Sequence, residues 1–255
     1  MKISRGKGLL FLGIALVVVD QIIKVLVKTN MAIGDHFSVF GNWFQIFFIE
    51  NEGMAFGMKF GGTAGKLLLS LFRIVLFGFL CWWITKLVRR SGVANADLAG
   101  DISDDGIPDD GILGGSSKSK SRKKKLSSEK AVRHGIDGDL RVSTGVLVGL
   151  TLITAGAFGN IIDSLFYGMI FSASEPGVVA SFGGSYAPFL FGKVVDMFYF
   201  PLIDTTWPSW LPFVGGQPLR FFEPIFNFAD SCVTVGAFYL IFFQYKFFAS
   251  DTAKK

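Results

Sequence analysis

Three aspartates lie at or between the ends of the last two long apolar runs of the chain: Asp163, Asp196 and Asp230. Asp163 closes one run in the pattern Asn160-x-x-Asp163, and Asp230 opens the next in the pattern Asn227-x-x-Asp230. Residues three apart share one face of a helix. One such pattern at a helix end usually indicates capping, but two at facing ends of consecutive helices can converge. We therefore predict that two of the three acids form a pair.

A carboxylate pair of this kind supports a definite chemistry. Two carboxylates a few ångström apart cannot both ionise, so they share a proton and their pKa values separate. The ionised acid can take a proton from water, and the protonated acid can polarise a peptide carbonyl and later protonate the leaving nitrogen. The pattern therefore favours amide hydrolysis. The residues alone leave open which two acids pair, because Asp204 is also available, after Pro201.

The sequence lacks the residue patterns of serine hydrolases and of metal-dependent hydrolases. The two histidines, His36 and His134, do not lie beside a serine in a recognisable nucleophile motif. The two cysteines, Cys81 and Cys232, lie inside apolar runs and do not complete a metal-ligand set with the histidines. We therefore predict neither a metal nor another cofactor.

The composition predicts where such a site would lie. Of 255 residues, 51% are apolar and 15% aromatic, and the mean hydropathy is +0.49, which is typical of a polytopic membrane protein. A spanning helix needs about 20 mostly apolar residues. Four segments of a single domain, 1–255, meet this requirement. The predicted spans are 8–28, 67–88, 142–162 and 226–245.

Basic residues predict the orientation of the four spans. Most of the 25 Lys and Arg flank the spans on one side or fill the connection 91–141, and the positive-inside rule makes that side the cytoplasm. Both termini are then cytoplasmic, and the segments 29–66 and 164–225 lie outside. The low complexity of 91–141 predicts a disordered loop.

The first outer segment has a different character from the rest of the chain. Residues 36–50 are aromatic and β-prone, with Gly41-Asn42 as a turn between two short strands. The fold class that we predict is therefore an all-α membrane protein with four transmembrane helices and a small extracytoplasmic β-sheet.

Three ionisable side chains inside the spans need partners, because each costs about 2.5–3.5 kcal/mol near a helix centre. Asp20 and Lys24 are four residues apart and can pair on one helix face. Arg73 can balance an acid on a neighbouring helix. A transporter or channel whose polar path includes Asp20, Lys24, Arg73 and Asp163 is an alternative. It is disfavoured because the inner halves of spans two to four carry almost no charge.

The polar motifs, taken together, resemble those of the lipoprotein signal peptidase (signal peptidase II) family. Each motif is short, but their order relative to the four spans makes the joint match specific. The matching pieces are Asp20-x-x-x-Lys24, Asn51-x-Gly53-x-Ala55-Phe56, Gly156-x-x-Gly159-Asn160-x-x-Asp163, Val194-Val195-Asp196 and Phe226-Asn227-x-Ala229-Asp230.

The resemblance implies an aspartyl membrane protease that removes signal peptides from prolipoproteins, cutting before the S-diacylglyceryl cysteine. It implies that Asp196 and Asp230 are the catalytic pair and that the outer sheet is a cradle beside the substrate. We expect a monomer in the bacterial inner membrane, in contact with lipids and with no nucleic-acid partner. The expected site-shaping residues are Asn51, Gly53, Asn160, Asp163, Asn227, Asp20, Lys24 and Arg73.

One position departs from the family pattern. The family usually has Arg after the aspartate of the third span, where this chain has Ser164. Arg73 and Lys193 are the candidates to supply the missing positive charge. The departure keeps open a further alternative, an inactive homologue that acts as an assembly factor, although the presence of both Asp196 and Asp230 argues against it.

Overall fold

The apolar runs form helices in the computed structural model, which describes residues 5–52, 62–103 and 142–247. The third run continues beyond its predicted end, because a π-helix, Asp163–Tyr167, joins it to a short further helix. The helices are α1 (Arg5–Asn30), α2 (Gly62–Ser103), α3 (Thr144–Ile162), α4 (Gly168–Ile170) and α5 (Phe228–Phe243).

Three of these helical segments are long and apolar enough to cross a membrane: Arg5–Asn30, Gly62–Arg89 and Thr144–Ile170. The fourth predicted span, 226–245, contains the 16-residue helix α5. The helix begins later than predicted, because Ile225–Phe226 pair as a strand and Asn227 is the N-cap. Four membrane crossings therefore stay a prediction.

The connection that we predicted to be a cytoplasmic loop, 91–141, begins later than the sequence suggested. Helix α2 runs through Ser103, so residues 91–103, which we predicted to be disordered, are helical. The remainder of the predicted loop, 104–141, lies outside the described residues, as does Gly53.

The β structure is larger than the predicted hairpin. The turn at Gly41-Asn42 does join two strands, β1 and β2. Two strands from the second outer segment extend them into an antiparallel sheet of order β1-β2-β3-β6, while β4 and β5 form a separate hairpin. The strands are β1 (His36–Phe40), β2 (Phe44–Asn51), β3 (Val194–Tyr199), β4 (Ile203–Thr206), β5 (Pro218–Phe221) and β6 (Ile225–Phe226).

Helix α3 lies at the centre of the helices and packs against α1, α2 and α5. Glycines on α3 allow α5 to approach closely, since a Cβ added at Gly149 would lie 2.6 Å from Leu240 Cδ2. Beside the sheet, a second apolar core includes Phe48, Val195 and Met197. Leu147 and Leu150 of α3 and Leu240 of α5 belong to a separate core between the helices, whereas the second core packs the sheet against Tyr167 of the π-helix.

We expect Gly156→Ala to destabilise the protein by roughly 1–3 kcal/mol, because overpacking forces the backbone to move. The added Cβ would collide with the backbone oxygen of Ala229 and lie 2.8 Å from Val233 Cγ2. The matched control is Gly78→Ala, where the Cβ would meet nothing within 4 Å. It should be neutral or gain up to about 1 kcal/mol of helix propensity. Thermal unfolding in detergent distinguishes the two, and equal unfolding temperatures would contradict this packing.

Candidate active site

A buried ion cluster joins α1 to α3 at one end of the helices. Lys24 Nζ lies 2.9 Å from Asp20 Oδ2, 2.8 Å from Asp163 Oδ2 and 2.8 Å from Asn160 Oδ1, and the lysine is fully buried. The three ammonium hydrogens therefore have three acceptors. Gln21 Nε2 donates to Asp163 Oδ1 at 3.0 Å, so the second carboxylate oxygen of Asp163 is also satisfied.

The same cluster fixes the start of α5. Asp20 Oδ1 accepts a hydrogen bond from the backbone N–H of Ala229 at 2.9 Å. Asn227 is the N-cap, and its side-chain oxygen accepts from the Asp230 N–H at 2.9 Å in a capping box. Acidic groups at a helix N-terminus are favoured by the helix dipole. Helices α1, α3 and α5, which are distant in sequence, therefore meet at the first turn of α5.

Two asparagines connect the acids that the sequence singled out. Asn227 Nδ2 donates to Asp196 Oδ1 at 2.6 Å and to Asn160 Oδ1 at 3.0 Å. Asn160 Nδ2 in turn donates to Asp230 Oδ1 at 2.7 Å. Lys24 can only donate, so the Asn160 amide atom that it contacts must be the oxygen. In the same way, the Asp230 N–H identifies the amide oxygen of Asn227. Asp196 and Asp230 are therefore held by one continuous amide network.

Asp196 projects from β3 into this network and is 2% exposed. Its second oxygen accepts from Asn51 Nδ2 of the neighbouring strand β2 at 3.2 Å. Burial, reinforced by the negative charge of Asp230, raises the pKa of Asp196 to about 7, although the amides of Asn51 and Asn227 lower it. Near neutral pH this carboxyl can therefore both accept and donate a proton.

Arg73 of α2 supplies positive charge to the acids. Its guanidinium interacts electrostatically with Asp230 most strongly, and then with Asp163 and Asp196. Lys193, the other candidate, instead has its Nζ 3.6 Å from Glu50 Oε2. Ser164, at the departing position, is buried and donates to the Asn160 backbone oxygen at 3.1 Å. Of the two candidates, Arg73 is therefore the one whose positive charge acts on the aspartates.

A second buried ion pair was not anticipated from the sequence. Lys28 Nζ contacts the Glu50 carboxylate and donates to Ser174 Oγ at 2.8 Å. Glu50 precedes Asn51 on β2, so this pair fixes the strand that supports Asp196. The spacing could have predicted a buried role for Lys28, since Asp20, Lys24 and Lys28 recur every four residues on one face of α1.

The arrangement can support acid–base chemistry at the end of the helices. Asp196 is buried, Asp230 is partly exposed beside it, and the two carboxylates interact electrostatically. One can hold a proton while the other is ionised. Within 5–52, 62–103 and 142–247, no group of three or more His, Cys, Asp or Glu side chains is placed to hold a metal ion.

Fold and site together define a helical membrane protein with a carboxylate pair between a sheet and the helix ends. The family model described as signal peptidase (SPase) II matches residues 12–100 and 139–246. The chain therefore belongs to the signal peptidase II family.

Two lipoprotein signal peptidases agree with this assignment. The chain is 41% identical over 242 residues to a lipoprotein signal peptidase of Porphyromonas gingivalis (strain W83), which covers 94% of this chain and 84% of that protein. A lipoprotein signal peptidase of Amoebophilus asiaticus is 30% identical over 230 residues, or 89% and 73% of the two chains. A solved bacterial membrane enzyme at 2.3 Å resolution is 20% identical, with a TM-score of 0.49 over 97% of this chain and 91% of its own.

Proposed function

We propose that this protein is an aspartic endopeptidase that removes signal peptides from prolipoproteins, cutting before the S-diacylglyceryl cysteine. Asp196 and Asp230 are the catalytic pair. The observation that carries the proposal is the amide network through Asn160 and Asn227, which connects the two carboxylates. Family membership supports the substrate class.

The reaction uses the shared proton of the pair. The ionised carboxylate takes a proton from water as the water oxygen attacks the scissile carbonyl carbon, while the protonated carboxyl gives its proton to the carbonyl oxygen. The tetrahedral diol then collapses, and a carboxyl proton passes to the cysteine nitrogen as the C–N bond breaks. No covalent enzyme intermediate is formed, and Arg73 offsets part of the negative charge beside the pair.

The site's position suits a lipid-anchored substrate. The acids lie where helices α3 and α5 meet the sheet, at the end of the helices opposite Arg5 and Arg89. With the basic ends in the cytoplasm, the pair faces the outer side of the inner membrane, and both termini are cytoplasmic. Four crossings, with α5 as the fourth, complete this topology. A monomer suffices, because the pair and its network come from one chain.

A bacterium depleted of its own lipoprotein signal peptidase tests the proposal. Expression of this chain should restore growth and convert accumulated prolipoprotein to the shorter, mature form on a gel. Persistent accumulation of the precursor, with this chain present in the membrane, would contradict the proposed function and favour an assembly role.

The pH dependence of cleavage should report the pair. Activity should fall as pH rises through about 7, because the pair then loses the proton it holds below that pH. Asn51→Leu removes an amide that lowers the pKa of Asp196. The pH at which activity falls should therefore rise by roughly one unit. Gln45→Leu, on the same strand, is the control. We would measure kcat/KM across neutral pH. If the pH at which kcat/KM falls were lowered in Asn51→Leu, or shifted equally in both variants, the assignment would be contradicted.

A further inference from the structure

The hairpin of β4 and β5 stands apart from the rest of the structure. It lies in the chain between Asp196 and Asp230, and its strands pack mainly on each other among the described elements. Its tip, residues 207–217, joins the two strands. Phe222, which follows β5, lies edge-on to Phe226 of the four-stranded sheet, with 6.3 Å between the ring centroids.

The tip exposes large apolar side chains that a water-facing turn would not carry. Phe213 is 97% exposed and Trp210 is 78% exposed. The sequence from Thr205 to Leu219 contains no charged residue, although Asp204 and Arg220 flank it as register partners in the hairpin. Large exposed apolar side chains grouped in one uncharged turn indicate an interaction surface.

The backbone at Phe213 adds a second, independent observation. Its φ is +71°, a left-handed conformation that favours Gly or Asn and is strained for a bulky residue. The turn therefore keeps an aromatic side chain at its outermost position at a cost in backbone energy. Such strain at an exposed position indicates that the side chain has a role in binding.

Five of the nine backbone N–H groups of the tip, including that of Trp207, donate to carbonyls within the tip. The N–H groups of Leu211, Gly215, Gly216 and Gln217 donate to carbonyls within the tip, at 2.9–3.0 Å. Pro208 and Pro212 carry no N–H group at all. The N–H groups of Ser209, Trp210, Phe213 and Val214 make no such bond, so they suit the headgroup boundary, where water is present, and not the hydrocarbon core.

These features together point to a lipid surface as the partner. Trp and other aromatic side chains are favoured at the boundary between headgroups and acyl chains. The sheet that carries the hairpin lies at the ends of the membrane helices, so the same bilayer is within reach. We propose that the tip, through Trp210 and Phe213, inserts into the leaflet on the aspartate side and anchors the connection between the two aspartates there. The inference does not depend on the proposed activity.

An environment-sensitive fluorophore tests the proposal without using catalysis. The label is placed at Phe213→Cys or, as a control, at exposed Glu175→Cys, in a Cys81→Ser, Cys232→Ala background and in phospholipid vesicles. The label at 213 should be quenched by doxyl-bearing phospholipid and be several-fold less sensitive to iodide than the label at 175. Equal iodide sensitivity at both positions would overturn the proposal. Protection of 213 only when precursor protein is added would also overturn it, because the partner would then be substrate.

The native side chain provides a check that the label does not itself drive insertion. The tryptophan emission lost in Trp210→Ser, taken as the difference from wild type, should be quenched by brominated phospholipid and resist iodide. Emission of Trp210 that iodide quenches freely would overturn the proposal. Phe213→Asn, which suits the left-handed backbone, should keep the unfolding temperature in detergent but raise the iodide sensitivity of Trp210.

Discussion

Asp196→Asn and Asp230→Asn should each lower kcat/KM for prolipoprotein cleavage by roughly 10²–10⁴-fold, the range by which a positioned acid or base accelerates a reaction. Asn keeps the shape of the side chain and removes the shared proton. The two losses should not add in the double variant, because the acids act as one unit. Initial rates on a diacylglyceryl-modified precursor measure both effects.

Asp204→Asn, on the separate hairpin, is the control for this prediction. It should retain cleavage, because Asp204 lies on β4 and not on the strand or helix that carries the pair. Unfolding temperatures of all three variants separate a chemical defect from a folding defect. Near wild-type rates for a correctly folded Asp196→Asn or Asp230→Asn protein would remove that residue from the catalytic pair.

Lys24→Met should destabilise the protein by about 3–5 kcal/mol, the usual cost of breaking a buried ion pair by removing one partner. Lys24 is fully buried and contacts two carboxylates and the Asn160 amide oxygen. Without the ammonium group, Asp20 and Asp163 would be left buried without their cation. Chemical or thermal unfolding in detergent measures the loss, and cleavage should fall with it because Asn160 loses its orientation.

Lys7→Met is the matched control, since Lys7 is exposed near the start of the same helix, and its stability should not change. Adding Asp163→Asn to Lys24→Met should recover part of the lost stability, because one of the two uncompensated charges is then removed. If Lys24→Met were as stable as Lys7→Met, the ion cluster would not be holding α1 to α3.

The convergence of the two Asn-x-x-Asp motifs was predictable from the sequence, whereas the inclusion of Asp196 was implied only by the family resemblance. The i,i+3 spacing predicted one helix face for each Asn-Asp pair, which is wrong for Asn227, because it is the extended N-cap of α5. The structure joins Asn160 to Asp230 and Asn227 to Asp196. The spacing could not reveal that Asn160 also orders Asn227, because that contact depends on how α3 and α5 pack. Glycines on α3 decide that approach, and their effect is visible only in three dimensions.

The rest of the site depends on long-range pairing that short patterns do not encode. Asp196 joins the network only because β3 pairs with β2, across 145 positions between Asn51 and Asp196. The hairpin of β4 and β5 lies in a proline-rich segment whose strands have four residues each, too few for alternation to be recognised. The start of α5 differs from the predicted span for a related reason, since β6 takes Phe226, which hydropathy assigned to the membrane.

Mass spectrometry of the cleavage products tests the central claim most directly. The purified wild-type chain should release a peptide that ends immediately before the lipidated cysteine, and the Asp196→Asn and Asp230→Asn proteins should leave the same precursor intact. Release of the same peptide by either variant at the wild-type rate would contradict the account, as would an intact precursor after incubation with wild type under conditions in which a relative cleaves it.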